Sequence, residues 1–426
     1  MKRHQTLDLK RTGAEKLLAA LPMPGVEDRT ENRAEAGWAR EARALARARM
    51  LVAGAPIKRD EYWKYTDPSA LTAPLDMVGE GEAPAEAPFA DIACARFVNG
   101  AFRADLTTLP DGISMIPLSE ALYQDLGIAR TFYGVLEAAG QEKVARPLAA
   151  LNTACATDGM VLQATGTATL HLRQDHVGEG ASLLHHLIRV ESGAELTLIE
   201  TGTTANTVME IELADGAILH HLRVQIGERI PAATHIFARL GAEAAFKTFT
   251  LTADGQMTRN EVVMEFAGDH AAGHIAGAVM GQAKSHIDNT IFVTHDAVEC
   301  EIRQVFKQVL ADRATGVFQG KIFVKEGAQK TDGYQKSQAV LLTDGAEFLV
   351  KPELEIYADD VACSHGSTTG SLDERALFYL RSRGVPQAAA EAMLVAAFVD
   401  EAIEEIADAT LADLMREEVA RWMATR

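Results

Sequence analysis

Cys363 and His365 are the residues of this chain whose types and spacing best suit chemistry. They lie in the run Asp359-Asp360-Val361-Ala362-Cys363-Ser364-His365-Gly366. If that run is extended, side chains alternate between two faces, so Cys363 and His365 share one face with Asp359 and Val361. A thiolate and an imidazole are donors suited to iron, zinc or copper(I), yet two donors fall short of the four that a tetrahedral metal or an iron–sulfur cluster takes. The pair reads as half a ligand set, or equally as a packed thiol beside an imidazole that hydrogen-bonds its loop. Residue types alone leave both open.

Other constellations are weaker. Cys94, Cys155 and Cys300 form no CxxC pair and lie dozens of residues apart, which excludes a disulfide framework and a resident ferredoxin-type ligand set. Cys94 and Cys155 read as small buried hydrophobes, and Cys300 stays unassigned. In the doublets His185-His186 and His220-His221, neighbours on a strand point oppositely, so no more than one of each joins a site. His270 and His274 are four apart and share a face; each of the scattered histidines reads as a hydrogen-bonded surface or coil residue. Asp359 and Asp360, adjacent on a strand, cannot flank one glycosidic bond and read as turn carboxylates. There is no GxxxxGK[ST] loop to cradle a nucleotide and no GxSxG elbow, and Gly366-Ser367-Thr368-Thr369-Gly370 reads as a capping turn.

The elements that must position Cys363 and His365 follow from periodicity. The chain has 426 residues, 47% of them hydrophobic, enough for a large core and two or three structural regions. Apolar Leu17, Leu18 and Leu21, and an Ala/Arg/Glu-rich stretch from Asn32 to Val52, predict helices. The aromatic cluster Glu61-Tyr62-Trp63-Lys64-Tyr65-Thr66-Asp67 predicts an anchor against the next region. From Pro74 to Pro88 composition shifts to Pro, Gly, Ala and Glu, a linker or loop. From about Ile92 to Val361 short β-prone runs alternate with turns, five of which start Gly-Ala or Gly-Asp at Gly193, Gly216, Gly241, Gly268 and Gly345. The first four are 23, 25 and 27 residues apart, the spacing of stacked solenoid coils rather than the 8 to 12 residues of a sandwich or barrel. After Gly370 the period is helical again. Ser371-Leu372-Asp373-Glu374 has capping-box form, Gly384 and Pro386 give the stop, Met393, Leu394, Ala397 and Phe398 form a second stripe, and Thr410 caps a third helix. The acidic stretch from Asp400 to Asp408 reads as a solvated face, or a docking surface for a basic partner.

The net charge of −19 and a pI near 5.1 argue against nucleic acid or an anionic membrane as partner, since both need a dense basic face. No apolar run is long enough to span a bilayer, and Pro22 and Pro24 break the first one before a secretory segment forms, so the chain reads as cytoplasmic.

One resemblance changes the weight of the opening pair. Lys351-Pro352-Glu353-Leu354-Glu355-Ile356, Asp359-Asp360-Val361, Cys363-Ser364-His365-Gly366, Phe378-Tyr379-Leu380 and Ser382-Arg383-Gly384 occur densely and in order, and residues 350 to 384 thereby resemble the C-terminal signature of the SufB/SufD family of iron–sulfur cluster assembly scaffolds. The Glu61-Tyr62-Trp63-Lys64-Tyr65-Thr66 motif is similar to the SufD branch. The resemblance implies a mainly β protein, a right-handed parallel β-helix core at 91–366 between an N-terminal helical region and linker at 1–90 and a C-terminal helical region at 367–426. It implies pairing with a SufB-like paralogue through the β-helix, self-pairing in isolation as the alternative, and a SufC-like ATPase docked on Leu377, Phe378, Leu380 and Arg383 of the first C-terminal helix and Met393, Leu394 and Phe398 of the second. Cys363 and His365 would then stand at the paralogue junction as a transient site for iron or a nascent cluster, with no cofactor stably bound and His365 as iron ligand or as tuner of a neighbouring thiolate. The chain itself would be a non-catalytic scaffold, ATP hydrolysis residing in the SufC-like partner, whose dimerisation would strain the junction. The rival readings are a β-solenoid carbohydrate-active enzyme and a purely structural homo-oligomeric solenoid.

Overall fold

The computed structural model describes residues 2–21, 35–74, 76–79, 81–84, 89–125, 127–227 and 230–425. Pro22, Pro24, the start of the second helical stretch at Asn32 and parts of the 74–88 stretch lie outside them. The chain opens with helices α1 (Lys2–Ala20) and α2 (Gly37–Ala53). Strands β1 (Cys94–Val98), β2 (Ala101–Phe102) and β3 (Ile113–Pro117) follow, then helices α3 (Leu118–Ala121), α4 (Gly127–Phe132), α5 (Val135–Ala139) and α6 (Pro147–Cys155). A long run of strands comes next: β4 (Met160–Ala164), β5 (Thr167–Asp175), β6 (Leu183–Val190), β7 (Glu195–Gly202), β8 (Asn206–Leu213), β9 (Ile218–Ile226), β10 (Ala232–Leu240) and β11 (Ala245–Ala253). It continues with β12 (Met257–Phe266), β13 (Ala272–Gly281), β14 (His286–His295), β15 (Glu301–Leu310), β16 (Thr315–Val324), β17 (Asp332–Leu341), β18 (Glu347–Ile356) and β19 (Ala362–Gly370), before α7 (Glu374–Ser382), α8 (Gln387–Ile403) and α9 (Ala409–Ala424).

Odd-numbered strands from β5 to β19 lie side by side in one sheet and even-numbered strands from β4 to β18 in the other. Every such neighbour pair is parallel, so each coil gives one strand to each sheet and the core is a parallel β-solenoid, as the turn spacing predicts. Hydrogen-bonded side chains in register on adjacent coils are 26, 29 and 31 residues apart towards the C-terminus. The turn glycines serve different needs. Gly193 and Gly216 have positive φ, whereas at Gly268 a Cβ would lie 2.0 Å from the Ala242 nitrogen.

The lumen holds the main core, including Phe97, Leu172, Leu198, Phe246, Met264, Phe266, Ile302 and Phe318. Two layers cover the outside. Helix α6 packs on β6 and β8, with α2 stacked on it. On the other sheet an outward apolar column, Ile199, Leu222, Phe249, Ala276 and Val305, is covered by Val395, Val399, Ala402 and Ile403 of α8 and Leu411, Met415, Val419 and Trp422 of α9.

Three local expectations are corrected. The stretch from Leu118 to Cys155 is helical rather than β-prone, in segments of 4, 6, 5 and 9 residues, too short to show a 3.6-residue period. Gly366-Ser367-Thr368-Thr369-Gly370 is not a turn, because β19 runs to Gly370 on a parallel ladder with β17. Helix α7 is capped by Asp373, which accepts from the amides of Arg375 and Ala376, and α9 by Asp408, which accepts from Leu411; Ser371 and Thr410 are not the caps. The stop at Gly384 holds, with φ of 87° and a Val385 N–H bond to the Leu380 carbonyl.

Candidate functional site

The two ends of the solenoid are built differently, and the candidate site lies at the C-terminal one. Register places Cys363 beside Gly333 and His365 beside Gln335. Gly333 and Gln335 alternate with the exposed or half-exposed Asp332, Tyr334 and Lys336, so Cys363 and His365 both occupy the lumen-facing rank of β19. No further strand stacks on β18 and β19 among the described residues. Side chains that would be sealed in any earlier coil are therefore open: His365 is exposed and Cys363 half-buried.

Cys363 packs against the lumen core, and a Cβ on Gly333 would come within 3.0 Å of its Sγ, so the absent side chain there makes room for the sulfur. Burial pushes the thiol above its ordinary pKa and the nearby Asp332 carboxylate pushes the same way, so the free chain carries a thiol rather than a ready thiolate. Asp359 does not share their face: Asp359 and Asp360 form a bend before the strand, and the Asp360 carbonyl accepts from the Lys330 amide at 2.5 Å. Among the described residues no group of three or more His, Cys, Asp or Glu is arranged to hold a metal. The donors present fit half a ligand set.

The edge itself is unusual. Strand β19, Ala-Cys-Ser-His-Gly-Ser-Thr-Thr-Gly, has neither a charge nor a proline among its nine residues, the usual guards of an exposed edge. Strand β18 carries Pro352 and is buttressed from outside by the aromatic motif. Tyr62 Oη donates to Glu353 at 2.8 Å, Lys351 Nζ to Glu61 at 2.9 Å, and Gln319 Nε2 to the Tyr62 carbonyl at 3.1 Å. Deeper in, Trp63 lies under the Arg259 guanidinium at 4.1 Å and Thr66 donates to Asp288 at 2.5 Å, while Arg259, fully buried, pairs with Glu261 and Asp288. The motif is the anchor its composition predicts, and it reaches the last coil.

The remaining candidates disperse. His185 turns outward to Glu210 at 2.8 Å and His186 into the lumen, where its Nδ1 accepts from the Met160 amide. His221 faces Glu200 at 2.9 Å in the lumen and His220 faces outward to Glu195. The doublets do point oppositely, but several of these rings are buried rather than on the surface. His270 sits in a turn against Glu299, and His274 in β13 against Glu405, so that pair is not a site. Cys155 is buried in the core and Cys300 is too, its thiol donating to the Gly268 carbonyl at 3.4 Å. The acidic stretch finds its basic partner within the chain: Glu401 bridges Lys307 and Lys336, Glu405 meets His274 at 2.9 Å, and Asp400 meets Arg416 at 2.6 Å.

The C-terminal arm leaves apolar surface uncovered. Phe378, Tyr379 and Met393 are 73%, 57% and 52% exposed, Arg383 is exposed, and Leu377, Leu380, Leu394 and Phe398 are half-buried. Sequence reasoning offered one stripe on α8, Met393, Leu394, Ala397 and Phe398, as a docking face and gave no inner stripe. Ala390, Val395 and Val399 face the solenoid, and Met393 faces away. It also missed Gln304 and Gln335 in the lumen, whose only sequence signal is a spacing of 31 residues, one coil.

A parallel β-solenoid whose last coil is uncapped among the described residues, with helices packed along its outside, is the fold class these observations define. The chain belongs to the SufB/SufD family: residues 172–398 match the model described as SUF system FeS cluster assembly, SufBD core domain. It is 32% identical to the iron–sulfur cluster assembly protein SufD of Escherichia coli over 56% of this chain and 59% of that protein. It is 28% identical to an iron–sulfur cluster assembly SufBD family protein of Synechocystis, covering 85% of this chain and 86% of the relative, and 25% identical to SufD of Bacillus subtilis over 54% and 55%. Among the described residues no helix is long and apolar enough to cross a membrane.

Proposed function

We propose that this chain is a non-catalytic subunit of an iron–sulfur cluster assembly complex, and that its open coil end closes on the corresponding end of a SufB-like paralogue. The observation that carries this is the uncapped last coil. A row of unpaired backbone groups along β19, beside half-buried Phe348, Val350 and Leu354 at the lumen mouth, favours β-augmentation by a partner strand. Closure would bury Cys363 and His365 beside donors of the paralogue, which supplies the ligands this chain lacks. Iron and sulfide are the cargo of that site. The lumen wall would hold Cys363 in place, and His365 would offer a ring nitrogen as donor.

The exposed Phe378, Tyr379 and Met393, with Leu377, Leu380, Arg383, Leu394 and Phe398 around them, make the arm the surface for a SufC-like ATPase. An α8 that is apolar on both faces, one packed on the solenoid and one exposed, supports a second partner there. The proposed division into 1–90, 91–366 and 367–426 would separate these duties, with the cytoplasm as the place of work.

The test is reconstitution with the two partners. His365→Ala is expected to abolish most cluster yield and lower bound iron while leaving the complex assembled; unchanged yield and iron content would remove the residue from the reaction. The isolated chain is expected to hold no stoichiometric chromophore and to hydrolyse no ATP. A screen of uronate polymers giving turnover would favour the carbohydrate-active alternative, and failure to co-purify with a SufC-like ATPase would favour a purely structural solenoid.

A further inference from the structure

The late coils place an amide ladder directly beneath the proposed donor. Gln304 on β15 and Gln335 on β17 are in register on the lumen face, both essentially inaccessible, and Gln335 Nε2 donates to Gln304 Oε1 at 2.9 Å. On the side away from the open end the next residue in this column is Ile275, which accepts nothing. On the other side it is His365. Gln335 Nε2 is taken by Gln304, and Gln335 Oε1 is buried without a partner. The opposite wall is shaped to this side chain, since a Cβ on Gly320 would lie 2.0 Å from Gln335 Nε2. A buried acceptor left open is costly and calls for a donor. Gln304, whose Oε1 is taken by Gln335, also keeps its Nε2 buried without a partner; on the open side the adjacent side chain able to donate along the column is the imidazole of His365.

We infer that Gln335 is a positioning residue for His365: its Oε1 accepts from one ring N–H, fixes the neutral imidazole in a single tautomer and turns the other nitrogen out towards the interface. This is the arrangement by which a ligating histidine is oriented through its second nitrogen. In the free chain water competes for the exposed ring; when a partner covers the coil, the amide oxygen becomes the acceptor that remains. The inference rests on His365 being the donor at a shared junction, but its test does not depend on cluster formation.

Ring-nitrogen NMR of the full chain in complex with a SufB-like paralogue, with 15N-histidine and His365 assigned by its loss in His365→Ala, reads the tautomer directly above the ordinary imidazole pKa of about 6.5. One tautomer is expected to dominate at least tenfold in the wild type and in Gln335→Glu, which keeps the acceptor oxygen. In Gln335→Met, of similar length but without that oxygen, the ratio is expected to relax to that of the unfolded chain, with cluster yield falling at least tenfold while complex formation persists. A wild-type ring with the unfolded-chain ratio, or a Gln335→Met ring unchanged from wild type, would overturn the inference whatever His365→Ala does to cluster yield. If Gln335→Met does not fold, the wild-type ratio alone decides.

Discussion

The two ends of the solenoid solve the same problem in opposite ways. At the N-terminal end the sheets finish in antiparallel pairings, β2 on β1 and β3 on β4, with strands of 2 and 5 residues, the second ending in Pro117. Phe97 beneath them is fully buried, in ring contact with Phe102 and His186. At the C-terminal end the sheets finish in parallel strands of 10 and 9 residues, and the lumen-facing rank is half-buried on β18 and, beyond Cys363, exposed on β19. Short edges with proline are how a sheet refuses further strands; a long edge without charge or proline, as β19 is, admits one, while β18 beside it carries Pro352 and charged residues. A repeat array also needs polar caps to stay soluble alone, and only one end of this array has the features of a cap.

The contrast is sharpened first by truncating each end. Phe97→Ala should cost about 3–5 kcal/mol in chemical denaturation, as loss of a fully buried aromatic does. The corresponding cut at the open end, Leu354→Ala, should cost less than about 2 kcal/mol in the free chain, because part of that side chain is already in water. Equal losses would mean the C-terminal end is as closed as the other.

Acid should act on the closed interior rather than the open edge. Burial holds His186 down to about 3, His295 to about 3 and His171 to about 4, so all three are neutral in the fold while their unfolded counterparts titrate near 6.5. Between those values the unfolded chain binds the extra protons, so stability falls as pH drops below about 6.5 and is highest above it, by about 2 kcal/mol for each ring at pH 5. Denaturant midpoints against pH check this, and His186→Phe should flatten the curve.

Smaller effects belong to the exposed parts. Asp373→Ala removes the α7 cap and should cost about 1 kcal/mol locally, seen as roughly fivefold faster amide exchange in that helix, and should weaken the proposed docking of an ATPase there. His365→Ala should change the stability of the free chain by no more than about 0.5 kcal/mol. A large loss there would make His365 a structural residue.

Much of this was legible in the sequence. The solenoid was, because Gly193, Gly216, Gly241 and Gly268 mark one turn of successive coils; the aromatic anchor was, because an exposed Trp63 and Tyr62 would have no reason to cluster. The helices between Leu118 and Cys155 were not, since segments that short carry no period and Pro147-Leu148-Ala149-Ala150-Leu151 is buried all along. The true cap of α7 lay two residues past the expected one because β19 extends through what reads as a turn. Of the site, Cys363 and His365 were visible as a same-face pair, but Gln335 was not: its relation to His365 exists only across the ladder, and register is a tertiary property.

The central claim is that β18 and β19 are an unfinished edge awaiting another coil. Hydrogen–deuterium exchange of the free chain and of its complex with a SufB-like paralogue tests it most directly. Amides of Glu347–Ile356 and Ala362–Gly370 should exchange readily in the free chain and become strongly protected in the complex, while β2 and β3 stay unchanged. A stable complex in which protection falls elsewhere and the β19 amides exchange as before would contradict it.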